Sequence, residues 1–337
     1  MEERSRGRAK RVFGFAVFLA VVALVVCAVT QRQLISDQFA AMTFEPSARV
    51  VELVDELNLT DAGERTLLAT RPTVDASQHF NDQCAGVDHS EQGHVLGCYT
   101  GDRIHLFGVT DPRVSGIVEV TAAHELLHAV YARLAEGDRM ALAQRLRTEY
   151  DALAEHDDAL RERMSIYEHL SDTAFANELH SVLGTEVREL PEWLEEHYAT
   201  WFADRGALVD RFDAYHSVFV GLQREADALE EEMETLRADV ENRKAEYDHE
   251  VTEYNADAEE LEAAVPASTA EQALLDRRRS TMTQRRADLD ATRDALQIDI
   301  DRYNDLREQL TELSAISSEL DRQLNSELAP VTTRPAG

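Results

Sequence analysis

The chain has 337 residues and a formal net charge of −31, with 65 Asp and Glu against 34 Lys and Arg, nearly all of the latter Arg. So acidic a surface excludes nucleic-acid binding through the bulk of the fold, because phosphate contacts need clustered cations. The length could hold two domains, but the last third differs sharply in pattern from the middle, which implies one mainly α (α+β) globular domain plus an extended helical part.

Residues 1–11 are basic, with Arg4, Arg6, Arg8, Lys10 and Arg11 against Glu2 and Glu3. From Val12 to Thr30 no charged residue appears. At 1.5 Å per residue such a helix spans about 28 Å, close to the hydrocarbon thickness of a bilayer. The expectation is an uncleaved transmembrane helix over 12–30 that anchors the chain in the cytoplasmic membrane, basic end inside and the bulk outside. A cleaved signal peptide is the rival, with Val26 and Ala28 serving the peptidase, but the apolar run exceeds the usual core of about 7–15 residues. Cys27 in this run reads as a buried apolar residue.

Residues 31–75 carry helical patterning, with Val50, Val51, Leu53, Val54 and Leu57 ahead of Asn58. Thr60 is a candidate N-cap for a second helix ending near Thr70, and a membrane-proximal spacer is the expected role. Residues 76–116 change to loops and short strands. Cys84 and Cys98 are the only cysteines outside the apolar run. In an exported chain they are expected to pair, closing a loop of about fifteen residues worth roughly 3 kcal/mol in the chain-entropy picture. His79, His89, His94 and His105 lie near them, but their spacing fits no zinc pattern and they read as surface-loop residues. Residues 103–109 read as a strand ending at the Thr110-Asp111-Pro112 turn.

Inside the apolar run 117–132 lies His124-Glu125-Leu126-Leu127-His128. Four helical positions advance roughly 400°, so both imidazoles leave one face a turn apart and can meet one metal ion. Glu125, beside the first histidine, can take a proton from a metal-activated water, which is why this pattern serves hydrolysis. Ala122, Ala123, Ala129 and Val130 make the surroundings apolar, and two histidines and a glutamate buried there would be costly unless something bound them. Helical segments should then run through about Leu170. A catalytic Zn2+ wants a third protein ligand. In 174–187, Phe175, Leu179, Val182 and Leu183 form the apolar stripe, and the candidates are Glu178 and His180. They lie about 200° apart, so only one can face the metal.

His124-Glu125-Leu126-Leu127-His128 followed by Asn177-Glu178-x-x-Ser181 resembles the gluzincin clan of zinc metallopeptidases, the thermolysin-like group. The likeness covers roughly 100–205 of the chain. It implies a small zincin-like catalytic domain over 76–211, with His124, His128 and Glu178 as zinc ligands and Glu125 as general base. It also implies an edge strand above the metal helix that could pair with an extended peptide substrate. The family's Asp after the Ser, which orients the first histidine, is Val182 here. The longer gap between the two motifs implies an inserted helical segment around 138–170.

Pro191 opens another helix with aromatics at helical spacing, in which His197 or Tyr198 is the first choice for stabilising an oxyanion. From Phe212 the apolar residues, Tyr215, Phe219, Leu222, Ala226 and Leu229 among them, follow alternating spacings of three and four, a heptad seam that Pro266 interrupts. Ser268 and Glu271 form a capping box, and Leu275, Met282, Leu289, Leu296, Tyr303 and Leu310 then repeat every seven. The pattern predicts an antiparallel coiled-coil hairpin over 212–328, turning near 265–268 and about 80 Å long, with a frayed tail over 329–337. Parallel self-association, or pairing with an envelope partner, is the alternative use of the seam. The reading that competes with a peptidase is an inactive envelope scaffold whose zincin-like part is structural.

Overall fold

The computed structural model describes residues 31–85 and 95–325. The basic tail at 1–11, the apolar run 12–30, His89, His94 and the tail from 329 lie outside the described residues. Among the described residues no helix is long and apolar enough to cross a membrane. This corrects the expected fold class and the expected single-pass location, both of which required such a helix. The two helices with length to spare, of 59 and 56 residues, carry charged side chains on nearly every turn, and each would be costly in hydrocarbon. The described architecture is instead eleven α-helices and one three-stranded sheet.

The described residues group into two compact units, one up to Val218 together with those from Arg322, the other Phe219–Asp321. In the first unit α1 (Arg32–Thr43) buries Asp37, which accepts from Arg133 Nε at 3.1 Å. Next come α2 (Ala48–Leu57), capped by Ser47, and α3 (Asp61–Ala69), where the Thr60 side chain accepts from Gly63 N at 3.1 Å. Residues 31–75 pack into this unit. Val50, Leu53 and Leu67 are wholly buried, and Thr60 N donates to Trp201 O at 2.9 Å.

Strand β1 (Thr73–Asp75) leads into α4 (Ser77–Cys84), followed by β2 (Gly97–Thr100) and β3 (Arg103–Phe107). The sheet order is β1-β3-β2, with β1 parallel to β3 (Thr73 opposite His105) and β2 antiparallel to it (Cys98 opposite His105). The segment expected at 103–109 is thus the central strand, and β2 is the edge. Cys84 and Cys98 form a disulfide, as expected, tying α4 to that edge.

Helix α5 (Ile117–Arg133) follows, with α6 (Glu136–Ala154), α7 (Asp158–Ser165), α8 (Asp172–Glu186) and α9 (Glu192–Tyr198). α5 is apolar almost all round, which makes it a buried central helix. It starts at Gly116, whose φ of 97° favours glycine. Gly184 lets α8 approach closely: a Cβ there would lie 2.3 Å from Leu127 Cδ1.

Helix α10 (Arg205–Ala263) begins in the first unit and runs into the second, where α11 (Thr269–Leu324) pairs with it. In the second unit Arg243 reaches Asp299, Arg285 reaches Asp257 and Arg278 reaches Glu260, so partner numbers fall as residue numbers rise and the pairing is antiparallel. Leu261, Leu275, Leu289, Leu296, Leu306, Leu313 and Leu320 are buried in it, and at the turn Ser268 Oγ accepts from Glu271 N while the Glu271 carboxylate accepts from Ala267 N.

Candidate metal centre

One side of α5 presents His124 and His128 a turn apart, and α8 brings Glu178 against them. Glu178 Oε2 lies 3.5 Å from His124 Nε2 and 3.5 Å from His128 Nε2. The three ligand atoms all fall within 4.8 Å of one another. Four ligands about 2.0–2.1 Å from a tetrahedral metal stand ~3.3 Å apart, so this oxygen already stands at about that spacing from each of the two ring nitrogens. Glu178 Oε2 is also buried without a hydrogen-bond partner. A buried carboxylate oxygen left unpaired is costly, and a cation among the three donors would satisfy it. The residues present could therefore hold a metal ion.

The electrostatics point the same way. Burial pushes the pKa of both histidines down, yet the Glu178 carboxylate outweighs it and both end above the ordinary histidine value. Burial pushes Glu178 up, and the facing imidazoles pull it well below the usual carboxylate range.

His128 is oriented from behind. Its Nδ1 lies 3.2 Å from Ser181 Oγ, so a ring whose Nε2 lone pair is given to a metal carries its proton on Nδ1 and donates it to the hydroxyl. Ser181 and Glu178 share a face of α8, and one helix supplies both ligand and support. Glu125 is 7% exposed, buried against β2. A Cβ on Gly97 would lie 2.8 Å from Glu125 Oε1 and 2.6 Å from Thr121 Cγ2, so only glycine fits beside the carboxylate. A cavity of about 140 Å³ opens at this point, lined by Gly97, Thr121, His124 and Glu125 on one side. Tyr167, Glu186 and Tyr215 line it as well.

His180, the alternative third ligand, points to the opposite side of α8. It is wholly buried, with its Nε2 2.8 Å from His197 Nε2. Burial, then the facing His197, hold its pKa well below the ordinary value. The two residues expected to stabilise an oxyanion stand with it. His197 packs edge-on against Trp201, and Tyr198, wholly buried, donates its hydroxyl to His180 O at 2.7 Å. Neither lines the cavity beside Glu125. Sequence reasoning missed Gly97, Tyr167, Glu186 and Tyr215. The glycine just ahead of Cys98 was the only local signal for the first, and the others reach the cavity from elements far apart in the chain.

No protein family, curated protein or solved structure matches this chain.

Proposed function

We propose that this chain is a zinc-dependent metallopeptidase of the thermolysin-like kind, with His124, His128 and Glu178 holding the metal and Glu125 as general base. The observation that carries this reading is Glu178 Oε2, buried, unpaired and 3.5 Å from two imidazole nitrogens. Two nitrogens and one carboxylate oxygen suit zinc, and three protein ligands leave one position open. Zinc bound there would polarise a carbonyl and lower the pKa of a water. The chain's own residues do the rest. Glu125 takes a proton from the water as its oxygen attacks the carbonyl carbon, then passes that proton to the amide nitrogen as the C–N bond breaks. Ser181 fixes the ring of His128 throughout.

A peptide substrate is supported by β2. Phe107 N donates to Leu96 O at 2.8 Å, so by the alternation of antiparallel ladders Gly97 and Tyr99 turn their N–H and C=O away from β3. Those groups border the cavity at Gly97 and can pair with an extended chain. A purely structural site has no use for a base and a cavity beside the ligands, which disfavours an inert scaffold.

Metal analysis paired with cleavage of a generic unfolded protein tests the reading. The wild type should hold one zinc per chain and cleave. Glu125→Gln should keep the zinc and lose cleavage by a factor on the order of 10³ or more. A wild type that takes up no zinc, or that holds it and cleaves as poorly as Glu125→Gln, would sink the proposal.

A further inference from the structure

Tyr215 sits three turns into α10, on a helix whose later turns belong to the other unit. Its ring packs edge-on against Phe212, with centroids 5.5 Å apart, and its side chain lines the cavity with His124 and Glu125. Among the described residues no hydrogen bond holds its hydroxyl. The polar groups around it are committed elsewhere. Arg163 pairs with Glu186 at 3.0 Å and lies over the Phe212 ring at 4.9 Å. His197 and Tyr198 are engaged on the far side of α8.

Attack of water on an amide carbonyl places negative charge on the carbonyl oxygen, and a preorganised donor in a water-poor cavity is the strongest means a protein has to stabilise it. The site needs such a donor, and neither Glu125 nor Glu186 can serve while ionised. We propose that Tyr215 is the catalytic donor to that oxyanion, from the cavity that it lines together with His124 and Glu125. This rests on the peptidase reading above. Burial, and then the nearby Glu186 carboxylate, push the Tyr215 pKa far above its ordinary value, so the phenol keeps its proton wherever the enzyme works. α10 therefore supplies a reacting group as well as a pairing surface.

The test uses the full, zinc-loaded chain and a phosphinic dipeptide, whose tetrahedral anionic oxygens mimic the developing charge. Titration calorimetry should show wild type and Tyr215→Phe holding one zinc each with matching circular dichroism, while Tyr215→Phe binds the phosphinate at least tenfold more weakly. Tyr167→Phe, which alters the neighbouring phenol of the same cavity, should weaken binding by less than threefold. With any peptide that is cleaved, Tyr215→Phe should lower kcat and leave KM nearly unchanged. Phosphinate binding of wild-type strength by zinc-loaded Tyr215→Phe would overturn the assignment alone. If loss of binding follows Tyr167→Phe instead, the role belongs to that residue. A zinc-loaded wild type that ignores the phosphinate would overturn the peptidase reading, and this assignment with it.

Discussion

Two histidine–glutamate contacts in this chain share one distance and nothing else. His249 Nε2 lies 3.5 Å from Glu253 Oε1, the separation that His124 and His128 keep from Glu178. The first pair spans one turn of a long surface helix, with side chains 73% and 58% exposed. The second is buried between two helices, its side chains 11–18% exposed, with an oxygen left unpaired. At the surface, water satisfies both groups and the contact is worth a few tenths of a kcal/mol at most. In the interior the same distance leaves a buried carboxylate oxygen that a cation could satisfy. Convergence and burial make the site, and spacing alone does not.

The largest effect should come from breaking the buried pair. Glu178→Gln keeps the side-chain shape but removes the charge, and zinc affinity should fall by two orders of magnitude or more, read by competition with a chromophoric chelator. Unchanged affinity would mean that this carboxylate is not a ligand.

A middle effect concerns the imidazole pair His180 and His197. One nitrogen must donate to the other across 2.8 Å, which requires that at least the accepting ring be neutral. Burial, then the Arg145 charge, lower His197 to about 4. In the unfolded chain it titrates near 6.5, so between those values the unfolded state binds the extra proton. Stability should be fully present above about pH 6.5 and fall as pH drops toward 4, by roughly 1–2 kcal/mol for the partly exposed His197. Urea titrations of the apo chain at pH 7 and 5 check this. His197→Gln should flatten the difference, and an undiminished slope in that variant would contradict it.

The smallest effect closes the comparison: Glu253→Gln should leave zinc content untouched and shift stability by less than about 0.5 kcal/mol. A larger loss would show that exposed contacts in the long helices matter more than their geometry suggests.

The turn that carries His124 and His128 was legible because both histidines lie within five residues on one helix, where spacing alone sets direction. Glu178 was half legible. Periodicity put it and His180 on opposite faces of α8, but which face meets α5 depends on packing that no local pattern records, including the close approach at Gly184. The residues that line the cavity were hidden for a related reason. His197 and Tyr198 follow Glu178 closely in sequence, whereas Tyr215 was absorbed into a run of three-and-four spacings. Such spacing describes a stripe along a helix and is blind to a change of neighbour along its length. The order β1-β3-β2 was equally hidden, since β1 joins the sheet by pairing with a strand thirty-odd residues later, and residues 31–75 looked like a spacer because their burial depends on partners near Trp201. The expected membrane span rested on hydropathy over 12–30 alone, and no described helix takes that part.

The Cys84–Cys98 bond bears on how this protein is handled. It ends next to Gly97, the residue against which the Glu125 carboxylate rests, while all three metal donors sit on α5 and α8. Protein produced where thiols stay reduced would therefore load metal normally while the strand beside its base had lost its covalent tether. On the peptidase reading, loss of that tether would lower activity without lowering metal content, so free thiols should be counted before any activity is measured.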